Sequence, residues 1–240
     1  MLLAMPQLKD YTIFPLGDAA LMIDFGNCID EIINRKVLGL FHSLNENPID
    51  GVIELVPAYS SLAVYYDVLQ IKKNQPVYKT AYDSLSEIIN KRLEQPIPGS
   101  VTSLETIKIP VCYDAEFALD MGELTKTKKI SSEELIRIHT SKEYTVHMLG
   151  FLPGFTYMAK VDDAIAMPRR INPRINVEAG SVGIAGSQTG IYPLSSPGGW
   201  QIIGRTPLRL FNAGSDSFTL LKPGNKVQFY SISKDEFNSY

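Results

Sequence analysis

Between Ala164 and Ser215 the chain places five arginines (Arg169, Arg170, Arg174, Arg205 and Arg209) against one acid, Glu178, and no lysine. That segment is about +4 in a chain of formal net charge −3, so the remainder carries about −7. A local positive field follows, and arginine in place of lysine suits planar, two-pronged recognition of a carboxylate or phosphate. An anionic ligand or an acidic partner surface is one reading. Pairing with acids elsewhere in the fold is the other, and the rest of the chain supplies many. His147 stands just before the loop Gly150-Phe151-Leu152-Pro153-Gly154-Phe155. There it could act as acid, base or hydrogen-bond donor, or be a hydrogen-bonded structural residue. Trp200, the single tryptophan, follows Ser196-Pro197-Gly198-Gly199 and lies eight residues after Tyr192. Such a group suits a pocket wall, a docking surface or barrel core.

Nine of the 17 glycines lie between Gly150 and Gly204, seven of them from Gly180 onward. That density means tight turns or close backbone approach. The run Gly180-Ser181-Val182-Gly183-Ile184-Ala185-Gly186-Ser187 does not read as a phosphate loop, because no helix-forming stretch follows it and no Walker lysine is present. His42, His139 and His147 lack metal-ligand spacing and have no cysteine near them, so no metal is expected. His42, on a helix, and His139, near a helix end, are expected at the surface. Nothing resembles a nucleophile elbow.

These side chains need elements to position them. Tyr11 to Phe14 and Ala20 to Phe25 are β-rich runs around the turn dipeptide Gly17-Asp18, which predicts a hairpin. Asp30 then caps a helix whose apolar stripe is Ile33, Val37, Leu40, Phe41 and Leu44, ended by Asn47-Pro48. Val52 to Val56 and Leu62 to Tyr66 predict two further strands, and Pro76 opens a second helix with Tyr78, Tyr82, Leu85, Ile89 and Leu93 on one face. Two amphipathic helices over an antiparallel sheet make a compact α+β unit. Gln95-Pro96-Ile97-Pro98-Gly99-Ser100 breaks both periodicities and marks a domain boundary. Beyond it, Ile107 to Cys112 predicts a strand, and Ser131-Ser132-Glu133-Glu134 predicts a capping box and a short helix to His139. From Tyr144 to Tyr230 apolar pairs alternate with Gly and Pro, the pattern of barrel-like β structure.

At 240 residues and 45% hydrophobic content, the chain is expected to form two domains. The net charge favours neither nucleic acid nor an anionic membrane as partner. The two cysteines, Cys28 and Cys112, lack the spacing of a disulfide framework, and a reducing cytoplasm is expected. The apolar start is stopped by Pro6, short of a signal peptide's core, and no apolar stretch of about 18 residues suggests a membrane span.

Taken in order, Arg169-Arg170-Ile171-Asn172-Pro173-Arg174, Gly180 to Gly186, Gln188-Thr189-Gly190-Ile191-Tyr192-Pro193 and Ser196 to Leu208 resemble the signature of the 5-oxoprolinase B-subunit family, also called allophanate hydrolase subunit 1 or the KipI family. Glu143-Tyr144 to Phe155, Val56-Pro57 to Ser61-Leu62 and Lys222-Pro223-Gly224-Asn225 fit it too, so the resemblance covers essentially the whole chain. The chain departs at Leu152, where a small polar residue is expected, at Glu178, where many relatives carry proline, and at Ser187, where glycine or another residue is common.

The resemblance implies an α+β N-terminal domain (1–98) followed by a cyclophilin-like β-barrel C-terminal domain (99–240); the barrel does not imply prolyl isomerase activity, because that enzyme's catalytic arginine and aromatics do not map onto this sequence. The resemblance also implies a chain inactive alone that pairs with the 5-oxoprolinase C subunit and works with the A subunit. Together they hydrolyse 5-oxoproline to glutamate with ATP through a phosphorylated lactam, and the ATP site is not assigned to this chain. On that reading Arg169, Arg174 and Arg205 hold carboxylate or phosphate, Gln188 and Tyr192 orient the lactam, Trp200 lines the substrate site, and His147 assists proton transfer. The resemblance also admits an inhibitor of a sensor histidine kinase, acting as a binding module, and a urea carboxylase or allophanate-processing component. Against the last, the chain lacks a biotin-carrier Met-Lys-Met motif.

Overall fold

The computed structural model describes residues 10–73, 78–94 and 106–240. The chain divides into two compact units, Met1–Thr102 and Ser103–Tyr240. The expected linker at 95–100 lies outside the described residues.

The first unit is built on a four-stranded antiparallel sheet of β1 (Thr12–Pro15), β2 (Ala20–Asp24), β3 (Val52–Pro57) and β4 (Ser61–Tyr66), in the order β1-β2-β4-β3. Gly17, at φ +68°, makes the turn of the predicted β1–β2 hairpin, in which Pro15 faces Leu21. Leu21 and Ile23 of β2 and Leu62 and Val64 of β4 recur at period two and are fully buried. Helix α1 (Glu31–Glu46) starts where Asp30 accepts from the amides of Ile32 and Ile33, and its stripe buries Val37, Leu40 and Leu44 in the same core. Asp67 caps a short helix α2 (Val68–Lys72) that sequence periodicity misses, since five residues hold too few apolar positions to show a stripe.

The second long helix, α3 (Ala81–Leu93), begins later than expected. Thr80 and Asp83 cap each other's amides there, so Tyr78, 89% exposed, stays outside the helix, and Pro76 lies outside the described residues. Leu85 and Ile89 are its buried contribution. His42 is half-buried beside the Phe41 ring, which corrects the expected surface position.

The second unit is a closed seven-stranded barrel with short helices against it. Its elements are β5 (Thr106–Cys112), α4 (Met121–Lys128), α5 (Ser132–Thr140), β6 (Glu143–Leu149), β7 (Thr156–Ala159), β8 (Arg174–Val177), β9 (Ser181–Ala185), β10 (Gln188–Ile191), β11 (Ser196–Gly198), β12 (Gln201–Arg205), β13 (Lys226–Ile232) and α6 (Lys234–Asn238). The ring runs β10-β7-β6-β13-β5-β12-β9 and closes where β9 pairs β10; only β13 with β5 is parallel. Strands β8 and β11 form a separate two-stranded ribbon. Ile109, Val111, Val146, Met158, Val182, Ile184, Val227 and Phe229 fill the barrel core. This is the α+β unit followed by a cyclophilin-like barrel that the resemblance implies.

Two local expectations change. Ser131 caps α5 through the Glu134 amide, but the Glu134 carboxylate turns to Arg137 at 2.7 Å, so the reciprocal half of the capping box is not made. His139 is fully buried, not superficial: Nδ1 lies 2.8 Å from the Tyr113 hydroxyl, Nε2 3.0 Å from Thr189 Oγ1, and the ring stacks on Phe229 at 4.6 Å. Because Thr189 Oγ1 donates to the Gly183 carbonyl at 3.1 Å, it accepts from Nε2–H, which leaves Nδ1 to accept from Tyr113.

Candidate functional site

A cleft of about 470 Å³ opens beside the β8–β11 ribbon. The β6–β7 loop contributes Phe151 and Leu152, the segment ahead of β8 contributes Arg169, Arg170 and Pro173, and Ser196 to Gly199 complete it. Phe151 holds a left-handed backbone at φ +69°, uncommon for a bulky residue, and Gly154 follows at +82°. A Cβ on Gly198 would stand 2.4 Å from the Tyr192 hydroxyl, so only glycine admits the tyrosine against β11.

Tyr192 and Trp200 are 1% and 2% exposed. Both pack edge-to-face on Phe155, at 5.0 and 5.3 Å between ring centres, and Trp200 meets Tyr157 at 5.7 Å. Aromatic rings in this arrangement form a rigid support. Burial raises the Tyr192 pKa above that of an ordinary phenol, against the opposing pull of the Trp200 backbone and the Arg169 and Arg174 charges.

The arginines separate into distinct roles. Asp120, its side chain 1% exposed, accepts from Arg170 Nη1 at 2.7 Å, from both Nη atoms of Arg174 at 2.8 and 2.6 Å, and from the Ile202 amide at 2.6 Å. Arg174 is thus engaged in a two-pronged internal pair. Arg205 holds Glu178 at 2.5 Å and the Ala179 carbonyl at 2.8 Å, and Arg209 donates to the Phe211 carbonyl at 3.1 Å. Pairing with an acid elsewhere in the fold, Asp120, therefore accounts for Arg170 and Arg174, while Arg205 pairs with Glu178, the one acid of its own segment. Arg169 alone of the five is exposed in the cleft without a hydrogen bond or ion pair to a described residue.

Of the expected site residues, only Arg169 lines the cleft, with Tyr192 and Trp200 buried next to it. Gln188 starts β10 opposite Ala159, roughly 13 Å along the chain from Tyr192 at extended-strand spacing. His147, 1% exposed, is the extra residue of a bulge in β6 between Val146, facing Met158, and Met148, facing Tyr157; it does not line the cleft. Sequence reasoning missed Asp120, whose one signal is an acid set in the apolar run Phe117-Ala118-Leu119 to Met121. The lining can bind an anion by charge and an apolar body by contact with Phe151, Leu152, Pro173 and Pro197. Among the described residues, its lining contains no carboxylate, imidazole or thiol.

Residues 11–221 match the family model described as carboxyltransferase domain, subdomain C and D. The chain is 43% identical over 231 residues to the B subunit of 5-oxoprolinase from Bacillus subtilis, covering 96% of each. The chain belongs to the 5-oxoprolinase B-subunit family. Similar stretches also occur inside longer polypeptides. The crystal structure of TTHA0988, 32% identical with a TM-score of 0.76, is matched over 89% of this chain, which spans only 40% of that one. Urea amidolyase of Saccharomyces cerevisiae, 38% identical over 92% of this chain, is spanned to 13% of its length. No helix among the described residues is long and apolar enough to cross a membrane.

Proposed function

We propose that this chain is the B subunit of an ATP-dependent 5-oxoprolinase, hydrolysing 5-oxo-L-proline to L-glutamate together with the A and C subunits in the cytoplasm. The observation that carries the reading is the near full-length likeness, 96% of both chains, to a protein named as that component. The cleft supports it. A small lactam acid has one carboxylate and an apolar ring, and the cleft offers one uncompensated guanidinium among apolar side chains. Arg169 holds the carboxylate, while Arg174 and Arg205 act through the loops they tie. Tyr192 and Trp200 shape the cleft from behind.

The residues present do not fit the phosphates of ATP. Several phosphate charges would face a single free arginine, and the glycine-rich run at 180–187 continues as strand β9 instead of opening a helix. On this reading ATP acts in the assembled complex, with no ATP site on this chain.

The isolated chain is expected to be inactive, and reconstitution with the A and C subunits from the same organism to release glutamate only with ATP. Arg169→Ala lowers that turnover on the order of 10²-fold, as loss of a charge-stabilising donor does. Turnover unchanged in the variant removes Arg169 from the site, and failure of the wild-type chain to support any ATP-linked glutamate release removes the reading itself.

A further inference from the structure

The free guanidinium of the cleft stands on a stretch with no regular structure of its own. Residues 168–173 run from the isolated bridge between Met167 and Gly186 to the start of β8, so no helix or strand ladder fixes the backbone from which Arg169 projects. A side chain that must meet a carboxylate needs a fixed base, since a displacement of about 1 Å can cost on the order of 10²-fold in rate.

The stretch is held at both flanks of Arg169. On one side the Arg170 amide donates to the Gly199 carbonyl at 2.7 Å and its guanidinium to Asp120 at 2.7 Å. On the other, the Pro168 carbonyl, which belongs to the peptide joining Pro168 to Arg169, accepts from Gln201 Nε2 at 3.0 Å. Proline has no amide hydrogen, so that carbonyl is the one backbone group by which Pro168 can be tied. Gln201 opens β12 opposite Ile184 of β9 and is 3% exposed, which sets the donor in the barrel wall.

A purely structural role suits Gln201 poorly. Its Oε1 is buried without a hydrogen-bond partner among the described residues, and an unpaired buried acceptor is a cost. With one half of the amide paired and the other not, the gain and the cost oppose each other, and an apolar side chain of similar length would serve the barrel wall as well. The half that is paired goes to the peptide directly before Arg169.

We infer that Gln201 is a positioning residue for Arg169. Its amide holds the Pro168–Arg169 peptide against β12, so that the Arg169 guanidinium stands where the substrate carboxylate arrives. This rests on the 5-oxoprolinase reading above.

The test measures kcat/KM for 5-oxo-L-proline with the full chain reconstituted with the A and C subunits. Gln201→Met keeps the length and removes the donor, and should lower kcat/KM about tenfold while the urea midpoint stays close to wild type, because the unpaired oxygen leaves with the bond. In a chain already carrying Arg169→Ala the same change should cost nothing further, since residues that act through one group are not additive. A general defect of the barrel would cost the same factor in both backgrounds. Should Gln201→Met lose cooperative unfolding, Gln201→Glu decides instead: a protonated carboxyl donates to the Pro168 carbonyl and a carboxylate does not, so kcat/KM relative to wild type should rise as pH falls from about 8 to about 6. An equal loss in both backgrounds, no loss from Gln201→Met in the otherwise wild-type chain, or a Gln201→Glu ratio independent of pH overturns the positioning role alone. No ATP-linked glutamate release by the wild-type complex overturns the 5-oxoprolinase reading together with it.

Discussion

Without the Asp120 carboxylate, two guanidinium groups and the Ile202 amide would lose their shared acceptor. Asp120→Asn should cost about 3 kcal/mol, the low end for a broken buried pair, because Arg170 and Arg174 keep 28% and 21% side-chain exposure. Urea unfolding measures it, and a loss below about 1 kcal/mol would show that the knot is not a stabilising centre. His139 gives a pH signature. Desolvation lowers its pKa to about 3, below the ordinary imidazole value, so the folded chain refuses a proton that the unfolded chain accepts. Above about pH 6.5 both states are neutral and the group contributes nothing; as pH falls from there towards 3, stability is lost. The slope approaches about 1.4 kcal/mol per pH unit inside that window. Comparing unfolding at pH 6.5 and 5, above most carboxylate titration, His139→Gln should flatten the dependence; an unchanged slope would assign it elsewhere. Arginine content was legible in the sequence, but which arginine stays free was not. That depends on Asp120, about 50 residues from Arg170 and Arg174, and side-chain pairing at such separation leaves no periodic trace. The burial of His139 was hidden for a similar reason, since its partners Tyr113 and Thr189 lie 26 and 50 residues away.

At the scale of elements, periodicity performed well wherever an element was long enough to repeat. Val37, Leu40, Phe41 and Leu44 of the α1 stripe meet Leu21, Ile23, Leu62 and Val64 of β2 and β4 in one core, whereas Ile33, half-buried, is not part of it. Short pieces escaped: α2 has five residues, and α4 offers only Met121 and Leu124 as buried positions, too few for a stripe. The start of α3 was decided by the Thr80–Asp83 exchange, a stronger local signal than the proline before it. The β8–β11 ribbon could not be told from barrel strands, because both read as short β runs between glycines and prolines, and only pairing distinguishes them. That distinction matters to the cleft, since the ribbon supplies or adjoins most of its lining.

For the molecule as a whole, the described residues form two compact units, the second a closed barrel of mixed pairing. Two units were expected from the sequence because Pro96, Pro98 and Gly99 interrupt both periodicities, and the chain does divide into two compact units. Barrel closure was not legible, since it is a property of partners far apart in the chain. The parallel match of β5 with β13 sets Thr106 beside Lys226 and Cys112 beside Ile232, so the first strand of the barrel waits for its last. A nascent chain cannot seal this unit on the ribosome until β13 has been synthesised. Shortening the product to end at Asn225, which deletes β13 and α6, should leave residues 106–225 open to limited proteolysis while residues 10–94 resist it. Equal resistance of both would mean that the ring tolerates a missing stave.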